Sequence, residues 1–342
     1  MPYQENNMSG SISGYSAPKV SVIMPVYNTE LYVERAIISL MEQTLDDVQF
    51  IIIDDGSNDN SLSIIKEVIT RYPIRKDQIT LISRENRGVA ATRAQGMELA
   101  TGDYVIHLDS DDWAEKSWLK EMYLKAIQEN ADVVVCDYNT VCSGKIARRV
   151  QCPGKDGFNC VSMLLTGLLH GSSCNKLVNR SFILDKSISF LPSINFLEDY
   201  VFFIRVFLSA KVVSYVAKPF INYNQMNENS ITSYINAKKV NDILLAMDYI
   251  TEILSNHTHR QLFSMDLISQ KLRMKYWMLG CSDGELRRSI FSVYNEENKN
   301  IWSVKLPIHV KFVLSVISYN IFPLFFFKFF IRLFNFIRLV FR

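Results

Sequence analysis

The chain has 342 residues, 48% of them hydrophobic and 21% charged. That excludes a disordered chain and leaves room for one large α/β unit, or two smaller ones, with no need of covalent staples. Its 37 basic and 35 acidic residues nearly cancel, to a formal charge of +2, so net charge alone selects no class of partner.

Residues 1–18 are polar and rich in Ser, Asn and Gly. They read as a loose N-terminal tail without the apolar centre of a secretion signal. From there the pattern alternates between short apolar runs and helical periodicity. Val20 to Met24 predicts a strand stopped by Pro25, and Tyr32 to Glu42 a helix. Phe50 to Ile53 predicts a second strand ending in Asp54-Asp55-Gly56-Ser57, with Leu62 to Ile69 as its helix. Ile79 to Ile82 and Val89 to Ala100 repeat the pair, and Tyr104 to Leu108 predicts a fourth strand that runs into Asp109-Ser110-Asp111-Asp112. Leu119 to Glu129 reads as a helix leading to Val133-Val134-Val135. Continuous apolar runs separated by helices imply an α/β fold with a mostly parallel sheet covered on both faces. Ligands bind such sheets outside the carboxyl ends of the strands, where both acidic groups fall.

Residues 141–157 read as a polar loop or hairpin, and Val161 to Leu169 and Asp199 to Leu208 as short helices. Lys238 to Leu254 and Leu262 to Leu279 predict longer ones. The expected division is a catalytic unit over 19–235, a helical appendage over 236–300 and a basic, aromatic tail over 301–342. The six cysteines form no C-x-x-C pair and read as reduced thiols.

Three carboxylates within four residues, Asp109, Asp111 and Asp112, repel one another unless something neutralises them. Two readings stand side by side. The segment is a solvated turn that caps the next helix, or Asp109 and Asp111 offer oxygens to Mg²⁺ or Mn²⁺ while a diphosphate completes the shell. Asp54-Asp55-Gly56-Ser57-Asn58-Asp59 lacks the ligand spacing of a calcium loop; its carboxylates suit a base N–H or a ribose hydroxyl. The chain has neither a P-loop nor a G-x-G-x-x-G motif, which counts against NTPases and dinucleotide dehydrogenases. His107 reads as a packing residue inside a strand, and Trp113 and Trp118 as core, pocket wall or sugar platform. His170, Asn175 and Lys176 suggest an acceptor side, although an exposed loop lysine is the plainer reading of Lys176.

Five segments in order resemble family 2 glycosyltransferases of the GT-A fold, of the kind that builds bacterial capsule, O-antigen and exopolysaccharide. They are Val20-Ser21-Val22-Ile23-Met24-Pro25-Val26-Tyr27-Asn28, the run Asp54 to Asp59, Glu85-Asn86-Arg87-Gly88-Val89-Ala90-Ala91-Thr92-Arg93, Leu108-Asp109-Ser110-Asp111-Asp112, and Leu197-Glu198-Asp199. The resemblance implies a nucleotide pocket walled by Pro25 and Tyr27, with Asp54 and Asp55 on the base and Arg93 holding the acidic network. It implies ribose and metal contacts at Asp109, Ser110 and Asp111, with Asp111 as the direct ligand of Mn²⁺ or Mg²⁺. Asp199 would be the general base, which an acceptor hydroxyl needs before it can attack, and Glu198 its support. Residue by residue, Asp199 alone reads equally as a helix cap. Asp112, Lys176, Ser230 and Thr232 remain possible acceptor or phosphate contacts. Asn224 stands where many relatives carry a positive side chain.

The tail adds a location. After Glu297 the chain has no acid, while Lys299, Lys305, Lys311, Lys328, Arg332, Arg338 and Arg342 follow. The uncharged run 312–327 is shorter than the roughly 20 residues of a spanning helix. At 100° per residue the polar groups of 328–342 fall within one arc of about 120°, the pattern of a helix lying in an anionic membrane interface. A core helix or a dimer contact is the alternative. The expected protein is an inverting enzyme, peripheral or monotopic on the cytoplasmic side of the cell membrane, moving a sugar from a UDP-sugar to a glycan or lipid-linked glycan, with a homo-oligomer as a candidate assembly. Its basic residues are not gathered along a polar groove, against a nucleic-acid partner. The rivals are a nucleotidyltransferase and a non-catalytic nucleotide-sugar-binding subunit.

Overall fold

The computed structural model describes residues 17–227, 235–282 and 284–318. The chain opens with β1 (Val20–Val26), α1 (Val33–Met41), β2 (Val48–Asp54), α2 (Ser61–Thr70), β3 (Ile79–Ser83), α3 (Val89–Leu99) and β4 (Tyr104–His107). The apolar runs of β1, β2 and β4 are buried because helices cover both faces of the sheet. α1 buries Val33, Ala36, Ile37, Leu40 and Met41, the 3–4 spacing of one helical face. α3 lies close on β1 because Gly96 permits it: a Cβ there would come within 2.4 Å of Ile23.

The chain continues through β5 (Trp113–Ala114), α4 (Trp118–Glu129), β6 (Val133–Cys142), β7 (Lys145–Arg149), α5 (Gly157–Thr166), β8 (Lys176–Asn179), α6 (Arg180–Asp185), α7 (Glu198–Ser209) and β9 (Val213–Asn224). The strand order is β3-β2-β1-β4-β8-β6-β9-β5, with β7 paired to β6. From β3 to β4 every pairing is parallel, as expected. Beyond β4 the parallel pattern fails: β8 runs antiparallel to both β4 and β6, β6 is parallel to β9, and β9 is antiparallel to β5. The sheet is therefore mixed, with flanking helices. Lys176–Asn179 is too short and too polar at its ends to announce a strand, and a run's direction is not written in its apolar pattern. The polar stretch after residue 141 is a hairpin, β6–β7, turning at Ser143 and Gly144 with φ of 45° and 76°.

α8 (Ala237–Asn256), α9 (Arg260–Cys281), α10 (Gly284–Phe291) and α11 (Ile308–Ser318) complete the described chain. Their buried faces join α5, α7 and the inner face of β6 in a single apolar cluster from Val133 to Leu314. A second cluster lies between the sheet and α1, α2 and α4. Among the described residues no helix is long and apolar enough to cross a membrane. Ser230, Thr232 and the basic stretch 328–342 lie outside the described residues.

Candidate active site

The five segments meet at the carboxyl ends of β1, β2 and β4 and at the N-terminus of α7. Pro25 pairs with Ile53 and Val26 with Asp54, which sets the ends of β1 and β2 side by side. Tyr27, just past β1, is 48% exposed, a ring left available for a ligand. Asp54 is buried and accepts from the Ser57 amide at 3.2 Å and the Ser83 hydroxyl at 2.8 Å. Asp55 is buried too. Its oxygens accept from the Arg87 amide at 3.0 Å and the Gly88 amide at 2.8 Å, and Arg84 pairs with it at 2.8 Å. Its carboxylate thus already fixes the turn into α3.

Gly88, at φ +89°, enters α3 against Asn195, whose Oδ1 lies 2.3 Å from where a Cβ would stand. One turn further, buried Arg93 donates to Asp109 at 2.6 Å and to Glu198. Burial opposes the guanidinium's charge, but Asp109, Glu198 and Asp199 outweigh it and hold Arg93 firmly protonated.

Asp109 also accepts from the Cys174 thiol at 3.4 Å. Ser110 is buried and accepts from Thr29 at 3.1 Å. Asp111 accepts from the Asn227 side chain at 2.9 Å, and burial together with Asp109 raises its pKa. Asp112 is buried against the Asn224 amide at 2.8 Å, and burial, Asp111 and Asp109 push its carboxyl well above the usual range. Asn224 therefore serves Asp112 through its backbone.

Among the described residues, the groups whose donor atoms come within 4.8 Å of one another are Asp109, Asp112 and Cys174, and not Asp111. The two carboxylates fit a hard cation such as Mn²⁺ or Mg²⁺. The thiol fits poorly, because burial and both aspartates keep it protonated. The crowding of three acids is itself the electrostatic strain that a cation would relieve.

Glu198 and Asp199 open α7 directly after Leu197, which takes a left-handed φ of 67°. Asp199 accepts from the Tyr200 amide at 2.7 Å. Burial, only partly offset by Arg93, raises its pKa, and burial raises that of Glu198 likewise. Leu197, not Asp199, is the N-cap residue of α7, and no side chain caps the helix, so the cap reading of Asp199 is not met; Asp199 lies in the first turn.

Lys176, expected on the phosphate side or exposed in a loop, is instead the fully buried first residue of β8. Its ammonium donates to the carbonyls of His170 and Ser172, both at 2.6 Å, and to Asn175 Oδ1 at 2.8 Å, over the Phe203 ring. All three N–H donors are taken, so it ties down the loop that carries Cys174 and has none left for a phosphate. Burial lowers its pKa to about 8. His170 and Ser172 of that loop, with Tyr138, Asn175, Ile221 and Tyr223, line a small recess beside Asp112. His107 packs in the interior, edge-on to Phe190. Trp118 is core, and Trp113 carries the Arg35 guanidinium 3.4 Å above its ring.

Cys174 and Asn227 carried no sequence signal, since each reaches its partner from a loop distant in sequence, and Asn195 meets Gly88 from just before the Leu197–Asp199 segment. Comparison with known proteins places the arrangement. The sequence model of glycosyl transferase family 2 matches residues 21–184. The putative glycosyltransferase EpsH of Bacillus subtilis is 34% identical over 215 residues, 60% of each chain. The cholesterol galactosyltransferase of Borreliella burgdorferi is 32% identical over 229 residues, 62% of each. The chain thus spans about 60% of the length of these curated relatives. Staphylococcus aureus TarS 1-349, solved in complex with UDP, superposes with a TM-score of 0.66 at 18% identity, covering 87% of this chain and 86% of that one. With its motifs gathered at one end of this sheet, the chain resembles glycosyl transferase family 2 over residues 21–184.

Proposed function

We propose that the protein is an inverting glycosyltransferase that moves a sugar from a nucleotide-sugar, a UDP-sugar by preference, to a hydroxyl of a glycan or lipid-linked glycan in surface polysaccharide synthesis. The observation that carries this reading is Arg93 joining Asp109 to Glu198, with Asp199 adjacent. A donor-side acid and an acceptor-side acid share one buried cation. The UDP bound by TarS supports the nucleotide, and the sterol named for the Borreliella relative supports an acceptor at a lipid surface.

In this reading Tyr27 and Pro25 form the wall of the nucleotide pocket, and Asp55 keeps the Arg84–Gly88 turn in place beneath it. Asp109 and Asp112 would hold Mn²⁺ or Mg²⁺, with Asp111 within reach through its neighbours. When bound, the cation supplies positive charge against the departing diphosphate. Asp199 takes the proton from the acceptor hydroxyl as it attacks the anomeric carbon; its raised pKa makes it a stronger base than an exposed aspartate. Glu198 and Arg93 fix where that base sits. The enzyme works at the cytoplasmic face of a membrane, as a peripheral protein.

The test is release of nucleoside diphosphate across UDP-, GDP- and dTDP-sugars, with and without Mn²⁺, plus membrane lipid extract as acceptor. UDP release that needs metal and lipid, and that Asp199→Asn abolishes, supports the reading. Pyrophosphate release from nucleoside triphosphates would replace it with nucleotidyl transfer. Tight donor binding without turnover would favour a binding subunit.

A further inference from the structure

We propose that the turn and helix around Trp302, Ile308 and Lys311 form a docking face for an anionic lipid surface. The inference rests on the membrane placement proposed above, but not on its chemistry. Among the described residues, α11 packs on the protein through one buried side. Val310, Val313 and Leu314 are buried, His309 meets the Tyr276 ring of α9 at 6.1 Å, and the Ser269 hydroxyl of α9 donates to the Lys305 carbonyl at 2.7 Å. The other side turns outward. Ile308 is 70% exposed, Trp302 59% and Phe312 43%. Ile308 and Phe312, four residues apart, share one helical face. Lys311 binds this face to Trp302: its ammonium donates to the Trp302 carbonyl at 3.1 Å and lies 5.9 Å from the ring centre. Lys305 is exposed beside them.

Indole, aliphatic and ammonium groups side by side suit the boundary between headgroups and acyl chains. The ring takes the apolar layer and the lysines the phosphates. Charge complementarity and continuity select this occupant over a second copy of the chain. Lys305 and Lys311 would meet like charge if the same face of a second copy docked here, whereas anionic headgroups attract them. From Ser318 the sequence runs on for 24 residues with nine phenylalanines, Lys328, Arg332, Arg338 and Arg342. A sequence of that composition, next in the chain after α11, carries the same pairing of aromatic and basic residues as the face itself.

The test uses the full chain bound to vesicles of 70% phosphatidylcholine and 30% phosphatidylglycerol, with brominated acyl chains that quench nearby indoles. The expected result is quenching of a component of tryptophan emission that Trp302→Phe lacks. The double variant Lys305→Glu/Lys311→Glu should bind these vesicles on the order of tenfold more weakly. Vesicle-bound protein whose Trp302 emission is not quenched would overturn the proposal. So would shielding of Trp302 from acrylamide that grows with protein concentration in the absence of lipid, which would assign the face to a second copy. Nucleoside diphosphate release by Trp302→Phe is followed in parallel. Quenching without turnover in any variant counts against the enzymatic reading alone, and turnover without quenching against the docking face alone.

Discussion

Arg93 donates to Asp109 at 2.6 Å while the same guanidinium meets Glu198, so one side chain of α3 binds the loop after β4 to the start of α7. Lysine keeps the charge at this position but not the planar fork that reaches two carboxylates at once. Arg93→Lys is expected to keep the fold and lower kcat by at least about tenfold, on the order of 1.4 kcal/mol of barrier. Arg93→Met leaves the buried Glu198 and the half-buried Asp109 without this partner, and is expected to cost roughly 3 kcal/mol of stability. Urea unfolding beside steady-state kinetics reads both.

The pH profile follows from Asp199. Its pKa is raised in the folded protein, chiefly by burial, so the proton-accepting form appears only above the ordinary aspartate range of about 3.9. Activity should rise with pH through that raised value, and the acid limb of kcat/KM should lie above the position an exposed aspartate would give. The stability contribution has the opposite sign. A carboxyl whose folded pKa is raised favours the folded state when protonated, and that contribution is lost as pH rises from the unfolded value through the folded one. Asp199→Asn should remove both the activity and this part of the pH dependence of unfolding.

Metal binding separates two sets of acids. Asp109 and Asp112 share a cluster that Asp111 does not join, whereas the sequence favoured Asp111. Mn²⁺ titration followed by electron paramagnetic resonance should show Asp109→Asn and Asp112→Asn each weakening binding about tenfold or more. A larger loss in Asp111→Asn would restore the ligand set read from the sequence.

Lys176 predicts a defect of the loop and not of donor binding. Lys176→Met keeps the apolar stem over Phe203 but strands the His170 and Ser172 carbonyls and Asn175 Oδ1. A loss of roughly 2–4 kcal/mol in stability is expected. Donor affinity should change less than acceptor KM, because the released loop lines the recess beside Asp112. Calorimetry of UDP binding and acceptor kinetics distinguish the two.

The part of the site at the ends of β1, β2 and β4 was legible in the sequence because its residues lie in short contiguous segments at strand ends. Asp54, Asp109 and their turns could be placed by counting apolar runs. The surroundings built from the 170–176 loop were not, for a physical reason. Lys176 looked like a loop lysine because nothing local reveals that β8 inserts between β4 and β6, and that insertion is what buries it. Cys174 reaches Asp109 across 65 residues and Asn227 reaches Asp111 across 116, distances over which periodicity carries no information. The mixed sheet went unread for the same reason: an apolar run says that a strand is buried, not which way it points. Asp137 shows the limit from the other side. This acid in the middle of β6 is fully buried, satisfied by Arg148, Gln151 and Tyr215, and has no part in the site.

The placement of β6 sets an order of assembly. Its partners β8 and β9 lie about 40 and 80 residues downstream, whereas β1, β2 and β3 pair with partners under about 30 residues away. Closing long loops carries an entropic cost before any contact rewards it. On a ribosome, then, the nucleotide side can fold while the acids after β4 still lack their frame, and Asp112 finds its Asn224 amide only once β9 has emerged. Nascent chains arrested before residue 213 should therefore protect β1 and β2 from protease while leaving the 109–112 loop open to cleavage.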